Sequence, residues 1–260
     1  MKIILSGGGT LGPVTPLLAV VEAYRKSHPE ARFVWVGTKN GPERELVEKY
    51  QIPFFVITSG KLRRYFSLKN FIDIFKLIIG FFHSLVFLIQ EKPDLIISAG
   101  GFVSVPLHWA GVVVGVPAWV HQQDVLPGLA NRLIAPFAKK ITTAVKDSMK
   151  FFSEEKTEWI GNPSRDLSAT NSTESRNRFG IPAKAPVLLA MGGGTGSFRV
   201  NQIVVEALQY LPEDWHVIHL AGKERPKQMA INATKIFENY RVYDFFTDEM
   251  KDAYASADVV

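Results

Sequence analysis

Apolar and polar positions along this chain switch repeatedly between two periods. Short apolar runs at residues 2–6, 32–36, 53–58, 94–99 and 117–121 read as strands. Between them, Leu17, Leu18, Val21 and Tyr24 recur at helical spacing within 16–26, and 43–49 reads as a second helix. Strands separated by helices of this length predict parallel βαβ units. Leu95-Ile96-Ile97, apolar at three consecutive positions, belongs in a sheet covered on both faces. The pattern restarts after a polar stretch at 168–178, with strands at 186–191, 215–220 and 241–246 and a helix at 200–209. The order "strand, glycine loop, helix" therefore occurs twice, at 3–20 and at 187–208.

The predicted class is α/β, with two Rossmann-like domains of parallel sheet over 1–163 and 164–260. They join near Gly161-Asn162-Pro163, with a ligand cleft expected between them. Ala257-Asp258-Val259-Val260 reads as the opening of another buried strand, so the second domain is expected to be incomplete and the chain a fragment. A length of 260 residues, against about 150 per domain, agrees with two domains.

Composition narrows the chemistry. Apolar residues at 47% and charged residues at 21% exclude a disordered or fibrous chain. The absence of cysteine removes disulfides, thiolate metal sites and cysteine nucleophiles, and fits an intracellular setting best. The six histidines show no shared ligand spacing, because His216 and His219 fall on opposite faces of one strand, so no metal is expected. Thirty basic against 25 acidic residues allow an anionic ligand or surface without requiring nucleic acid, and none is expected.

Three glycine loops follow strands. Gly7-Gly8-Gly9-Thr10-Leu11-Gly12 matches GxGxxG, in which glycines let the backbone and a helix N-terminus approach a phosphate. A nicotinamide site also needs a carboxylate ending the second strand, where this chain has Val36-Gly37-Thr38-Lys39. Pro13 and Pro16 are expected to distort the following helix start. Gly192-Gly193-Gly194-Thr195-Gly196-Ser197 repeats the device with more glycines than a turn needs, which favours a diphosphate cradle. Gly100-Gly101-Phe102-Val103-Ser104 is the third loop.

The order of these loops resembles the MurG family of GT-B glycosyltransferases, which move GlcNAc from UDP-GlcNAc to lipid I, undecaprenyl-pyrophosphoryl-MurNAc-pentapeptide. The family's GGTGGHVxP stands here as Gly8 to Pro16, and its GGYVSxP as Gly100-Gly101-Phe102-Val103-Ser104-Val105-Pro106. HEQNxxxGxxN stands as His121-Gln122-Gln123-Asp124 through Gly128 to Asn131. GNPxR stands as Gly161 to Arg165, and GGSxGAxxxN as Gly192 to Asn201. The resemblance implies an inverting transfer with no cofactor or metal, the acceptor on the first domain and the nucleotide mainly on the second. It also implies site residues: Thr10, Leu11 and Gly12 along the sugar and diphosphate, with Gly100 and Gly101 beside them. Arg165 would contact the nucleotide, Gly194 and Thr195 the diphosphate, and Phe246 and Thr247 the uracil.

Three positions depart from the pattern. The histidine of GGTGGHV is Pro13, the glutamate of HEQN is Gln122, and its asparagine is Asp124. A carboxylate facing the sugar can accept a proton where an asparagine cannot, so Asp124 is the candidate base and His121 the reserve. A relative with another lipid acceptor, or a non-catalytic membrane-bound scaffold subunit, is the alternative.

Residues 71–89 are apolar on nearly every helical face, but their longest nearly uninterrupted part, 77–89, falls short of about 20 residues for a bilayer crossing. Lys61, Arg63, Arg64 and Lys69 precede the segment and Lys76 lies within it, as in an interfacial helix on anionic lipid. The expected location is peripheral, at the cytoplasmic face of the membrane.

Overall fold

The computed structural model describes residues 1–60, 69–167, 171–222 and 228–260. The basic positions Lys61, Arg63 and Arg64, and the side chain of Lys69, lie outside the described residues. The chain divides into two compact units, Met1–Arg165 and Asp166–Val260.

In the first unit, β1 (Lys2–Ser6), α1 (Thr15–Ser27), β2 (Arg32–Gly37), α2 (Glu43–Lys49) and β3 (Phe54–Val56) come first in the chain. There follow α3 (Lys69–Glu91), β4 (Leu95–Ser98), α4 (Ser104–Val114), β5 (Ala118–Gln122), α5 (Leu129–Ile134), β6 (Lys140–Thr143) and β7 (Thr157–Trp159). The strands form one parallel sheet in the order β3-β2-β1-β4-β5-β6-β7. Its strands bury alternate residues on opposite faces. Ile3, Leu5, Phe33, Trp35, Leu95 and Ile97 pack with Leu17, Leu18 and Val21 of α1 and Leu46 and Val47 of α2. Ile4, Val36 and Ile96 pack the other way, onto Phe87 and Leu88 of α3 and Leu107 and Ala110 of α4. Pro16 sits in the first turn of α1, where its missing N–H removes no helical hydrogen bond, so this helix start is regular rather than distorted.

The loop after β1 is held from below. Trp35 Nε1 donates to Gly7 O at 3.0 Å, and the Glu43 carboxylate, wholly buried, accepts from Gly9 N at 3.1 Å and Thr38 N at 2.7 Å. The Thr38 hydroxyl donates to the same carboxylate at 2.5 Å. A Cβ on Gly8 would come within 2.3 Å of Glu43 Oε1, and one on Gly41 within 1.9 Å of Oε2, so glycine makes room for this internal anion.

α3 is joined to the unit along one side only. Leu77, Phe87 and Leu88 are buried, the Ser84 hydroxyl donates to Gly80 O, and a Cβ on Gly80 would strike Thr58 O at 2.0 Å. Ile74, Phe75, Ile78, Phe82, Val86 and Ile89 face outward, with Phe75 67% exposed. By length and composition Asp73–Glu91, at mean hydropathy 1.6, is long enough to cross a bilayer, which a count from Leu77 alone underestimates. A third of it is nonetheless built into the first unit.

The second unit contains α6 (Ser172–Arg178), β8 (Val187–Met191), α7 (Phe198–Ala207), β9 (His216–Leu220), α8 (Gln228–Ala233), β10 (Tyr240–Tyr243) and α9 (Met250–Ser256). Its sheet is parallel, in the order β10-β9-β8, and Val259 bridges to Leu188 beside β8. The polar stretch that precedes the restart of the strand pattern contains a helix. Asn171 caps α6 by accepting from Thr173 N, and Arg176 of α6 forms a bidentate pair with Asp258 at 2.9 Å. Ser175 and Arg178 both hydrogen-bond to the buried carboxylate of Asp252 on α9. Charge pairing rather than an apolar stripe seats this helix.

His108 of α4 is enclosed between Ser104 O, which accepts from its Nδ1 at 2.8 Å, and Ser98 Oγ, 3.2 Å from its Nε2. Burial pushes its imidazole down to about 4. An unfolded histidine titrates near ~6.5, so the unfolded chain binds the extra proton first as pH falls. The stability linked to neutral His108 is therefore complete above about pH 6.5 and lost between there and about pH 4. Thermal unfolding across this range should show that loss, and His108→Asn, which keeps a donor to Ser104 O, should flatten it. Glu43→Gln can keep an amide oxygen towards Thr38 but then sets its N–H₂ against the Gly9 N–H, and should cost about 2 kcal/mol of stability. Denaturant titration of the first unit's transition measures it.

Candidate functional site

In the first sheet the chain runs outward from β1 to β3 and then returns to β4 on the other side of β1. The loops after β1 and β4 therefore part at the carboxyl ends of these strands and leave a crevice, as at the switch point of other open α/β sheets. A cavity of about 260 Å³ lies there. Thr10, Gly12 and Pro13 line it from the first loop, Gly100 and Gly101 from the second, and Gln122 to Asp124 with Asn131 from the segment after β5. The two loops meet backbone to backbone, since a Cβ on Gly101 would stand 3.0 Å from both the N and the O of Gly8. Gly100 and Gly101 have φ of 105° and 94°, a region that glycine enters without steric cost.

Polar groups of the third segment are aimed by a short relay. Asn131 Nδ2 donates to Gln122 Oε1 at 2.7 Å and to His121 O at 3.2 Å. Gln122 Nε2 donates in turn to Asp124 O at 2.7 Å, and Gln123 Nε2 donates to Ala99 O at 3.2 Å. The relay fixes the backbone around Asp124 and leaves its side chain exposed at the cavity. Asn131 belongs to the cavity wall, and its Oδ1 is buried with no hydrogen-bond partner among the described residues. A buried acceptor without a donor is costly, so this oxygen suits a ligand hydroxyl or amide N–H. Asn131 closes the quoted HEQNxxxGxxN pattern, and its place one turn into α5 is the sequence signal that marks it.

Several anticipated residues occupy other surroundings. Leu11 turns its side chain into the apolar cluster under the loop, while its carbonyl accepts from Val14 N and Thr15 N. His121 is buried and both ring nitrogens are engaged, Nδ1 with Thr142 Oγ1 at 2.9 Å and Nε2 with Asn162 Oδ1 at 3.1 Å. Burial lowers its pKa, partly offset by the Asn162 bond, and the ring lies outside the cavity lining. Arg165 donates from Nη1 to the Tyr50 hydroxyl at 3.0 Å. The Tyr50 phenol is pushed up by burial, with Arg165 opposing that rise.

In the second unit, Gly192 to Ser197 connects β8 to α7, whose N-cap is Ser197 accepting from Val200 N. Gly193 and Gly196 take φ of 82° and 84°. Gly194 and Thr195 lie half-buried in this loop, and no carboxylate of the described residues reaches it as Glu43 reaches Gly9. Phe246 is a core residue whose ring packs with Phe179 and Tyr243. Thr247 is also buried, and its N–H donates to Glu249 Oε2 at 3.3 Å. Among the described residues no three metal-ligating side chains converge.

The glycosyltransferase family 28 N-terminal domain matches residues 3–143, and the corresponding C-terminal domain matches residues 187–260. A UDP-N-acetylglucosamine--N-acetylmuramyl-(pentapeptide) pyrophosphoryl-undecaprenol N-acetylglucosamine transferase of Clostridium perfringens is 38% identical over 260 residues, covering all of this chain and 71% of the relative. The Staphylococcus carnosus enzyme of the same name is 39% identical over 263 residues, covering all of this chain and 70% of its own. Among solved structures, Acinetobacter baumannii MurG superposes with a TM-score of 0.65 at 22% identity, over 99% of this chain and 70% of that one. Anabaena HepE in complex with UDP-glucose gives 0.67 at 17% identity, over 99% and 72%. These likenesses agree with two parallel α/β units of the GT-B type. With both family 28 domains matched in order and that identity sustained along its whole length, the chain belongs to the MurG family of glycosyltransferases.

Proposed function

We propose that this protein transfers GlcNAc from UDP-GlcNAc to the 4-hydroxyl of MurNAc in lipid I, giving lipid II for peptidoglycan synthesis. The observation that carries this reading is the switch-point cavity of the first unit, walled by two glycine loops and bearing one exposed carboxylate and one unpartnered amide oxygen. The activity named for relatives that match the whole of this chain, and about 70% of their own length, supports it. The acceptor belongs to the first unit, where backbone N–H groups of the glycine loops and Asn131 Oδ1 meet its polar groups. The UDP moiety belongs to the second unit, at Gly192 to Ser197.

In the transfer, the acceptor hydroxyl oxygen forms a bond to the anomeric carbon of GlcNAc as the bond from that carbon to the UDP oxygen breaks. Attack opposite the leaving group inverts the configuration. The hydroxyl proton passes to the Asp124 carboxylate, and the electron pair of the broken bond leaves on UDP. Charge growing on the diphosphate is met by backbone N–H groups of the second glycine loop and the N-terminus of α7. Asp124 suits the base because it is exposed at the cavity with its backbone fixed, whereas both nitrogens of His121 are already bonded.

The outward apolar face of α3 supports docking at the membrane surface, with the helix lying in the plane of the cytoplasmic leaflet. Its inner face is committed to the core, so the unit stays outside the bilayer while Phe75, Phe82 and Ile89 enter the acyl boundary. This places the cavity on a protein that meets a lipid-anchored acceptor at its own interface.

Asp124→Asn should lower turnover at least about a hundredfold while UDP-GlcNAc still binds, consistent with loss of a general base. Transfer of labelled GlcNAc to a lipid I analogue measures it, and a near-parental rate would assign the base elsewhere. Phe75→Ser with Phe82→Ser should release the protein from anionic vesicles in co-sedimentation without altering its circular dichroism. Undiminished vesicle binding by that variant would remove α3 from the docking surface.

A further inference from the structure

The second glycine loop touches its neighbour more closely than side chains allow. A Cβ on Gly196 would stand 2.2 Å from Ala221 O, and one on Gly222 would stand 2.1 Å from the Gly196 Cα. Both glycines have positive φ, 84° and 88°. The loop after β8 therefore rests, backbone on backbone, against the turn after β9. Ala221 N and Gly222 N donate to Tyr243 O and Asp244 O, which ties that turn to the end of β10.

A buried relay of side chains fastens the same contact. Asn201 of α7, 1% exposed, donates from Nδ2 to Ala221 O at 3.0 Å. Its Oδ1 must then accept, and it lies 3.1 Å from His219 Nε2. That assigns the proton of His219 to Nε2 and leaves Nδ1 as an acceptor for the Tyr240 hydroxyl, 2.6 Å away. The relay runs in one direction, from Tyr240 O–H to His219, from His219 N–H to Asn201, and from Asn201 N–H to Ala221 O. Every member is buried. Burial pushes His219 down to about 4 and Tyr240 above its ordinary range, so both stay neutral and the direction holds at neutral pH. His216, three residues earlier on the opposite face of β9, is engaged instead with Arg241 and takes no part.

We infer that His219 and Asn201 are positioning residues for the diphosphate: the Tyr240–His219–Asn201–Ala221 relay sets the height of the Gly192–Ser197 loop, and with it the row of backbone N–H groups that meets the phosphates. This inference rests on the reading that the second unit holds UDP. None of the relay's side chains touches the ligand. The ladder of β8, β9 and β10 already fixes the strands without them, so the relay acts on the loop rather than on the sheet.

Calorimetry with UDP and with uridine, which lacks the phosphates, separates a loop effect from a general one. His219→Phe and Asn201→Ala should weaken UDP binding about tenfold and leave uridine binding within about twofold, the size expected for misplaced hydrogen bonds to a charged group. His219→Gln, whose amide N–H₂ takes the place of Nε2–H, should retain UDP affinity within about threefold. Tyr240→Phe keeps the ring in the core and should cost UDP about threefold, so the test stands even where a core variant does not fold. Parallel losses for UDP and uridine, or unchanged UDP affinity in a folded Asn201→Ala or Tyr240→Phe protein, would overturn the relay's role. If the parent protein gives no heat with UDP, it is the nucleotide reading that falls.

Discussion

Backbone N–H groups exposed by a glycine loop need an acceptor, and the identity of that acceptor decides what the loop is for. In the first unit an acceptor comes from within. The Glu43 carboxylate accepts from Gly9 and from Thr38, and the glycines at 8, 37 and 41 leave the space it occupies. A negative charge already seated there opposes a phosphate on that side of the loop, which is why a GxGxxG pattern in this chain does not describe a dinucleotide cradle. The loop's other side, at Thr10, Gly12 and Pro13, remains open to the cavity. In the second unit no carboxylate of the described residues accepts from the glycine loop in this way, so the same local sequence pattern has different surroundings.

Neutral histidines give both units their polar scaffolding. His108, His121 and His219 are each buried, each shifted downward by burial, and each bonded through both ring nitrogens. A neutral imidazole offers one donor and one acceptor, so it can join two polar groups across a core without carrying charge into it. His108 joins β4 to α4, His121 joins β5 to β6 and to Asn162, and His219 joins β10 to α7. Each bridge ends near a loop at the carboxyl edge of its sheet. The histidine at the end of β5 thereby serves the scaffold, while the carboxylate three residues on stands exposed at the adjoining cavity.

The helix α3 shows how one apolar segment can serve two environments. Its inner face needs Gly80 for close approach to the chain at Thr58, and Leu77, Phe87 and Leu88 for packing. Its outer face carries the larger aromatic and branched residues. A purely buried helix has no need of the second set, and a freely spanning helix has no need of the first. The combination describes a helix seated on its domain along one side and exposed along the other.

The periodicity of the chain by itself determined the two strand–loop–helix starts, the parallel sheet and the position of every glycine loop, because those features are local consequences of alternation and of positive φ. The motif order determined the family. Tertiary structure alone decided which way side chains point from those loops. Leu11 and Phe246 stand in site motifs yet turn into apolar clusters, since burying them removes more apolar surface from water than a ligand contact would. The helix over Ser172–Arg178 was hidden because its partners, Asp252 and Asp258, lie about 80 residues away and no local apolar stripe announces it. The Glu43 contacts and the relay through His219 were hidden for the same reason: a hydrogen bond between separated segments leaves no period in the sequence, and only folding brings donor and acceptor together.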